Sequence, residues 1–359
     1  MTTPETIQTT WGLDLSSMVC DHCGWNYLTL DNSVRLCPHC SKGKLEPFDT
    51  DDVRMTSIAA PELILQYRVG REQMTRIVAQ FTDEIPYPPH DLNASNLSER
   101  IQRVFLPMWL VDGAVQADWQ AQAGYDYEVE SHKSSYNNGQ WRSQKVTETR
   151  VEWEERIGKL SRHYDNISAP ALDEHAQLMR QLGRYDIKQA ESYAKDALRT
   201  ALIRLPNRST DDAFIEAQEG FRLRAAEDVK QATESENIRN FRWQATYDDL
   251  HWTQLLLPVY MSFYQDDEGE RRVVIINGYS GQSFGERRGS MRRAQRLMFM
   301  GLAFTAIVAI IAVIVVLSNP QWDDLAATAA IIAGIVGIAS LIPVAQVWRF
   351  NNTQAELTN

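Results

Sequence analysis

The pattern of polar and apolar positions changes abruptly near the C-terminus. From Leu297 to Leu317 the chain reads LMFMGLAFTAIVAIIAVIVVL, without a charge. At 1.5 Å per residue this is about 31 Å of helix, matching a hydrocarbon core roughly 30 Å thick. A second uncharged run begins at Leu325 and continues to Trp348, after a connector SNPQWDD in which Pro320 breaks the helix. The pattern predicts a two-helix transmembrane hairpin within 291–359, with spans at about 297–317 and 325–347. No ionisable residue lies inside either span, so nothing marks an ion or proton path. In the second span Ala326, Ala330 and Gly334 recur every four residues, with Ala333 and Gly337 beside them. Small residues at this spacing suit close packing on the first span, or on a second copy in a homo-oligomer.

Elsewhere the periods are those of a folded α+β domain. PELILQYRV, from Pro61, reads as a short strand, and REQMTRIVAQF as a helix with Met74, Ile77, Val78 and Phe81 on one face. EIPYPPHDLNAS is an extended connector. Val104–Gln122 alternates and is rich in aromatics, which predicts a strand. YDYEVE, a turn at Asn137-Asn138-Gly139, and WRSQKVTETRVEWEERI continue as hairpin strands. Two polar, acidic helices are predicted from Ala171 to Arg204 and from Asp211 to Asn237, separated by Pro206 and the Ser209 cap signal. Leu178, Leu182, Tyr185, Tyr193, Ala197 and Leu202 would form the buried face. Strand pattern returns at Leu255–Tyr264 and at RRVVIING, followed by the glycine-rich YSGQSFGERRG. LLLPVYMSFY echoes VFLPMWLVD, as two equivalent hairpin units would, with Pro107 and Pro258 at strand edges or starts.

Composition alone hides the membrane segment. The 359 residues have a mean hydropathy of −0.37, with 44% hydrophobic and 23% charged residues, values ordinary for a soluble protein. Charge sharpens the topology. Arg287, Arg288, Arg292, Arg293 and Arg296 crowd the start of the first span, the connector carries only Asp323 and Asp324, and Arg349 follows the second span. The positive-inside rule therefore predicts a two-pass protein of the cytoplasmic membrane with both termini in the cytoplasm. Trp322 and Trp348 fall at the two ends of the second span, where indoles favour the interface. MTTPETIQTTWGLDL lacks a basic n-region and an apolar h-region, so no cleaved signal peptide is expected. The net charge of −11 disfavours generic nucleic-acid binding.

All four cysteines fall in one stretch, Cys20 and Cys23 in CDHC, Cys37 and Cys40 in CPHC. Two C-x2-C pairs at this separation present four soft thiolates to one ion, a closed tetrahedral set that selects structural zinc. His22 and His39, each inside one of the C-x2-C pairs, read as exposed. A reduced, cytoplasmic location agrees with thiols rather than disulfides. The expected organisation is a zinc ribbon at 1–50, a cytoplasmic α+β domain at 51–290 with a helical insertion at about 171–240, and the membrane hairpin.

Together, CDHC with CPHC, PELILQYRV followed by a helix, VFLPMWLVDG with the aromatic AxW, LLLPVYMSFYQDDEG and VVIINGYSGQSFGERRGS resemble a bacterial family of membrane proteins carrying a TFIIB-type zinc ribbon. Its members often bear the label primosomal protein N′ or superfamily II helicase. The resemblance reaches nearly to the spans, and departs in the long acidic helices and the membrane hairpin. It implies zinc at the four cysteines and no established enzymatic activity. Some relatives are encoded beside phage-shock protein A and SPFH/band-7 proteins, which implies a membrane-anchored scaffold recruiting such a protein partner.

The helicase label fails on residues. A nucleotide motor needs G-x-x-x-x-G-K-[ST], and Gly43-Lys44 and Gly158-Lys159 are each followed by leucine. Asn277–Gly281 reads as a turn. His90, His132, His163, His175 and His251 are scattered, no G-x-S-x-G elbow occurs, and Asp112 reads as a strand-end turn residue. No enzyme is expected. Acting against the protein-docking scaffold is one competing reading, a membrane-tethered nucleic-acid-binding regulator using the ribbon.

Overall fold

The structure, a computed structural model, describes residues 11–30, 34–48, 60–137, 139–198, 201–318 and 323–358. Asn138, Pro320, Trp322 and the junction expected at residue 50 lie outside the described residues. Strands β1 (Ser16–Cys20), β2 (Asn26–Thr29), β3 (Leu45–Pro47), β4 (Leu63–Ile64), β5 (Gln102–Asn137), β6 (Gln140–Pro170), β7 (Glu191–Ser192), β8 (Ala201–Arg204), β9 (Asn237–Gln265), β10 (Arg271–Asn277) and β11 (Ser283–Gly285) form one mixed sheet. Its main path runs β11-β10-β9-β5-β8-β2-β1-β3. The cysteine-bearing strands therefore continue the central sheet through the antiparallel pair Tyr27↔Arg204 and Leu28↔Ile203.

Two features dominate the sheet. First, β5, β6 and β9 are far longer than the stretches expected from alternation. β5 alone spans roughly 120 Å at about 3.4 Å per residue. YDYEVE is the continuation of the Val104 strand, and the Leu255 strand already begins at Asn237. Three register shifts bend these ladders, and each places an extra residue in the left-handed region: Asn166 (φ 57°), Asn240 (φ 54°) and Asp249 (φ 53°). Asn and Asp tolerate that region best after glycine, so bulges settle at these positions. Asp112 lies at one of them, mid-strand rather than at a strand end, and its carboxylate accepts the Asn166 N–H at 2.6 Å.

Second, the two LP runs pair directly with one another. Leu106 lies opposite Leu257, flanked by Phe105↔Pro258 and Pro107↔Leu256. Both prolines are thus interior to long strands, not at edges or starts. Pro107 falls where β8 (paired to Phe105) gives way to β6 (paired from Met108), and Pro258 where β4 (paired to Leu256) gives way to β10 (paired from Val259). The missing proline N–H falls where no strand partner is waiting, which reconciles proline with a central strand.

The helices are α1 (Arg71–Asp83), α2 (Ala94–Glu99), α3 (His175–Leu182), α4 (Thr210–Ala232), α5 (Met291–Ser318), α6 (Asp323–Ala339) and α7 (Ile342–Thr358). α1 buries Met74, Val78 and Phe81, as its period predicts. Ser209 caps α4, accepting the Asp212 N–H at 3.1 Å. α4 buries Ala213, Ala217, Phe221, Ala225 and Val229 on the face of the long strands. Gly220 lets it approach, since a Cβ there would meet the Ile167 side chain at 2.6 Å.

The helix expected over Ala171–Arg204 is not formed. α3 stops at Gly183 (φ 75°), and two 3-10 turns, β7 and β8 follow. All four residues of β8 are buried between β5 and β2, an environment that overrides helical propensity. The helical insertion reduces to α3 and α4.

At the C-terminus, α5 and the stretch Ala327–Gln354 are long and apolar enough to cross a membrane. They are apolar on outward faces, with Phe299, Phe304, Ile310, Ile335 and Ile338 exposed, unlike buried core helices. The second run is not one uninterrupted helix. It breaks at Ser340–Leu341, ahead of Pro343, which has no N–H to offer the Ala339 carbonyl. Ala333 and Gly337 face α5, where the Thr305 hydroxyl bonds the Ala333 carbonyl at 3.2 Å. Ala330 and Gly334 face outward. The start of α5 and the middle of α7 both dock on the region of the sheet and α1. Asp267 accepts from the Ser290 hydroxyl and the Arg292 N–H, Asn351 exchanges hydrogen bonds with Gly289, and Phe350 packs by the α1 core.

Candidate metal centre

The four cysteines sit on two equivalent backbone turns. After Cys23 the chain takes a positive φ at Gly24 (71°), and after Cys40 it does so at Ser41 (51°). Gly24 N–H bonds the Cys20 carbonyl at 3.1 Å, and Ser41 N–H bonds the Cys37 carbonyl at 2.9 Å. Backbone amides also point at sulfur: His22 to Cys20 at 3.4 Å and Gly43 to Cys40 at 3.4 Å. Such N–H···S contacts stabilise thiolates. A Cβ on Gly43 would lie 2.4 Å from the Cys20 sulfur, so only glycine fits there.

The sulfurs converge. Cys20 and Cys40 Sγ are 3.6 Å apart, and Cys23 and Cys37 Sγ 3.7 Å apart, with no disulfide. A metal–sulfur distance of about 2.3 Å in a tetrahedron gives an S···S edge of about 3.8 Å. The donor set and its dimensions therefore fit one tetrahedrally bound metal ion. Among the described residues this is the one group of three or more His, Cys, Asp or Glu side chains placed to hold a metal. The strand after the first cysteine pair, β2, pairs antiparallel with both β1 and β8.

The surroundings act on the sulfurs unequally: burial raises the Cys20 pKa, and the hydrogen bond with Cys37 raises that of Cys23. The Cys23 thiol, hydrogen-bonded to Cys37, pulls the Cys37 pKa down to about 5. The Tyr27 hydroxyl lies 3.5 Å from Cys37 Sγ, and burial pushes the Tyr27 pKa well up, keeping it protonated. Opposite Tyr27 across the ladder stands Arg204, only 3% exposed, its guanidinium 4.9 Å over the Trp25 ring. Its Nη1 donates to the Asn26 carbonyl at 3.2 Å, and Glu174 acts on it electrostatically. A divalent ion on four thiolates carries a net charge of −2, and a buried arginine beside it offsets part of that charge.

His39 departs from its expected exposure. It stacks on Trp25 with ring centroids 3.6 Å apart, and burial lowers its pKa to about 4. His22 is exposed. Arg204 and Tyr27 were invisible as site residues, because β8 and β2 meet only in three dimensions.

Other chemical candidates do not assemble. His163 pairs with Asp165 and His251 with Glu62, on separate elements. Asn277–Gly281 is a turn, held by the Asn277 side chain accepting from the Tyr279 and Ser280 amides. Comparison with protein families, curated proteins and solved structures gives no match.

Proposed function

We propose that this chain is a membrane-anchored, cytoplasm-facing scaffold that binds partner proteins through its zinc-ribbon end. In this reading zinc occupies Cys20, Cys23, Cys37 and Cys40, and α5 with α6–α7 forms a two-pass hairpin. The observation that carries it is a chain of polar contacts linking the cysteine end to the helix base. Arg271 donates to the Ser41 carbonyl at 2.8 Å, beside the second cysteine turn. Its neighbour Arg272 bridges Asp266 and Glu286, and Asp267 holds the first turn of α5. A docking surface wired this way keeps a fixed position relative to its anchor.

Two further observations support the topology. Arg288 and Gly289 contact Asn351, so the entry and exit of the apolar segments share one side. The Arg287–Arg296 cluster supports reading that side as the cytoplasmic one, by the positive-inside rule. Partners from a membrane-stress or membrane-remodelling system are the class that the ribbon-family resemblance favours.

A groove of about 500 Å³ beside the cysteine end offers the contact surface, lined by His22, Lys42, Gln177, Gln181, Phe284 and Glu286 among others. Tyr27 and Leu28 are fully buried, so truncation before Glu46 would damage the core as well as the surface. Surface changes are the cleaner test. The full chain carrying His22→Ala, Lys42→Glu and Gln181→Ala is affinity-purified from detergent-solubilised membranes beside the wild type. Loss of wild-type partners with retained metal supports docking at this end; an unchanged partner set refutes it.

A further inference from the structure

Beyond Gly124↔Asn237 the third strand ends, and β5 and β6 continue alone as a two-stranded hairpin to Asn137↔Gln140. Its next-to-last rung is an aromatic pair, Tyr136 and Trp141, with ring centroids 5.3 Å apart and exposures of 62% and 73%. Neither ring belongs to a core cluster among the described residues. From Ser131 to Thr147 the chain carries His132, Lys133, Arg142 and Lys145 and no acidic residue, although the whole protein is at −11. Lys133 and Arg142 occupy one face of the ribbon; His132 and Lys145 lie opposite each other on the other, with Lys145 paired to Glu130 at 2.6 Å.

We propose that this tip docks on an anionic lipid surface. The order of residues along the hairpin suits such a contact. Amphipathic rings stand one rung from the end, and Trp and Tyr settle at a membrane interface. Arg142 stands one residue behind Trp141 and Lys133 three behind Tyr136, within roughly 10 Å of the rings and so about one Debye length, 8–10 Å, from a surface the rings touch. A nucleic-acid grip would need a longer basic track, because its affinity comes from many phosphate contacts. β5 also leads away from the helix base, since its first residue pairs with Met261 near that end and its last lies at the tip. The contact is therefore separate from the Arg287–Arg296 cluster at the start of α5, and it does not depend on what the cysteine end binds.

The test uses the full chain in phosphatidylcholine nanodiscs, which occupy α5–α7. Incorporation is checked by size exclusion, so failure of the helices to enter lipid is seen separately. Co-flotation is then measured with phosphatidylglycerol-containing vesicles, with pure phosphatidylcholine vesicles, and in competition with a DNA or RNA duplex. The expected result is salt-sensitive binding to the anionic vesicles alone. Tyr136→Ser with Trp141→Ser, and Lys133→Glu with Arg142→Glu, should each weaken it by roughly tenfold or more. Metal content and thermal transition, unchanged in both variants, show that the fold is kept. Absence of vesicle binding at low salt, variants that bind like wild type, or tighter binding to the duplex would each overturn the proposal.

Discussion

The cysteine end and the far hairpin belong to one sheet, yet they are held by opposite means. At the cysteine end Tyr27, Leu28 and Cys37 are fully buried, a cation sits among them, and four sulfurs converge within metal-binding distance. At the hairpin tip an indole is 73% exposed, and the support is the backbone ladder with cross-strand pairs such as Tyr136–Trp141 and Glu130–Lys145. Between them α4 covers the long strands with alanines and Phe221. The difference teaches that this sheet concentrates its stability at one end and leaves the other free for contact. An isolated two-stranded hairpin is marginal in water, so the tip depends on the strands below it.

The sharpest way to break the contrast is at the sulfurs. Cys37→Ser with Cys40→Ser should abolish metal binding and collapse the cooperative unfolding of the sheet. Structural zinc sites contribute on the order of 10–16 kcal/mol in small peptides, and these residues share a core with β5 and β9. Near-UV circular dichroism before and after chelation reads the effect. Phe221→Ala should come next, at about 3–5 kcal/mol, by opening a cavity under α4. Hydrogen exchange should then show β5 and β6 losing protection while the cysteine end keeps it.

A smaller effect is expected at Asp91, which accepts from Arg100, the Asn96 side chain and the Gln265 N–H, tying the α2 loop to the end of β9. Asp91→Asn should cost about 1.5–3 kcal/mol by chemical denaturation. The Arg100 guanidinium holds the Asp91 pKa below its ordinary value. The folded state thus binds a proton less readily than the unfolded chain, and the contribution is full above about pH 4 and lost as pH falls through the folded pKa. The Asn variant should lack that acid-side loss. At the tip, Trp141→Ser should change stability by no more than about 0.5 kcal/mol.

Legibility in the sequence followed the same divide between local and long-range causes. The C-x2-C pairs, the α1 stripe, the Ser209 cap and the uncharged runs are local signals, and each marks the element or cluster found there. Strand length was not local in this sense. The alternation of Phe241, Trp243, Ala245 and Tyr247 was there to be read, but the bulges at Asn240 and Asp249 break its phase and obscure one continuous strand. Ala201–Arg204 reads as helix until its neighbours β5 and β2 are known. Pro107 and Pro258 lie in central strands because partner strands change over beside them, a fact of topology rather than of proline. Arg204 and His39 joined the site only when Trp25 brought them together.

The central claim is a metal-organised platform fixed to a membrane, and one preparation tests both halves. The full chain is extracted with detergent from alkali-washed membranes and assayed for metal and for reactive thiols. The account predicts one zinc ion per chain, with all four thiols unreactive until a chelator or denaturant releases the metal. Recovery of the chain in the alkaline wash, a metal-free chain with four freely reactive thiols, or Cys20–Cys23 and Cys37–Cys40 disulfides would contradict it.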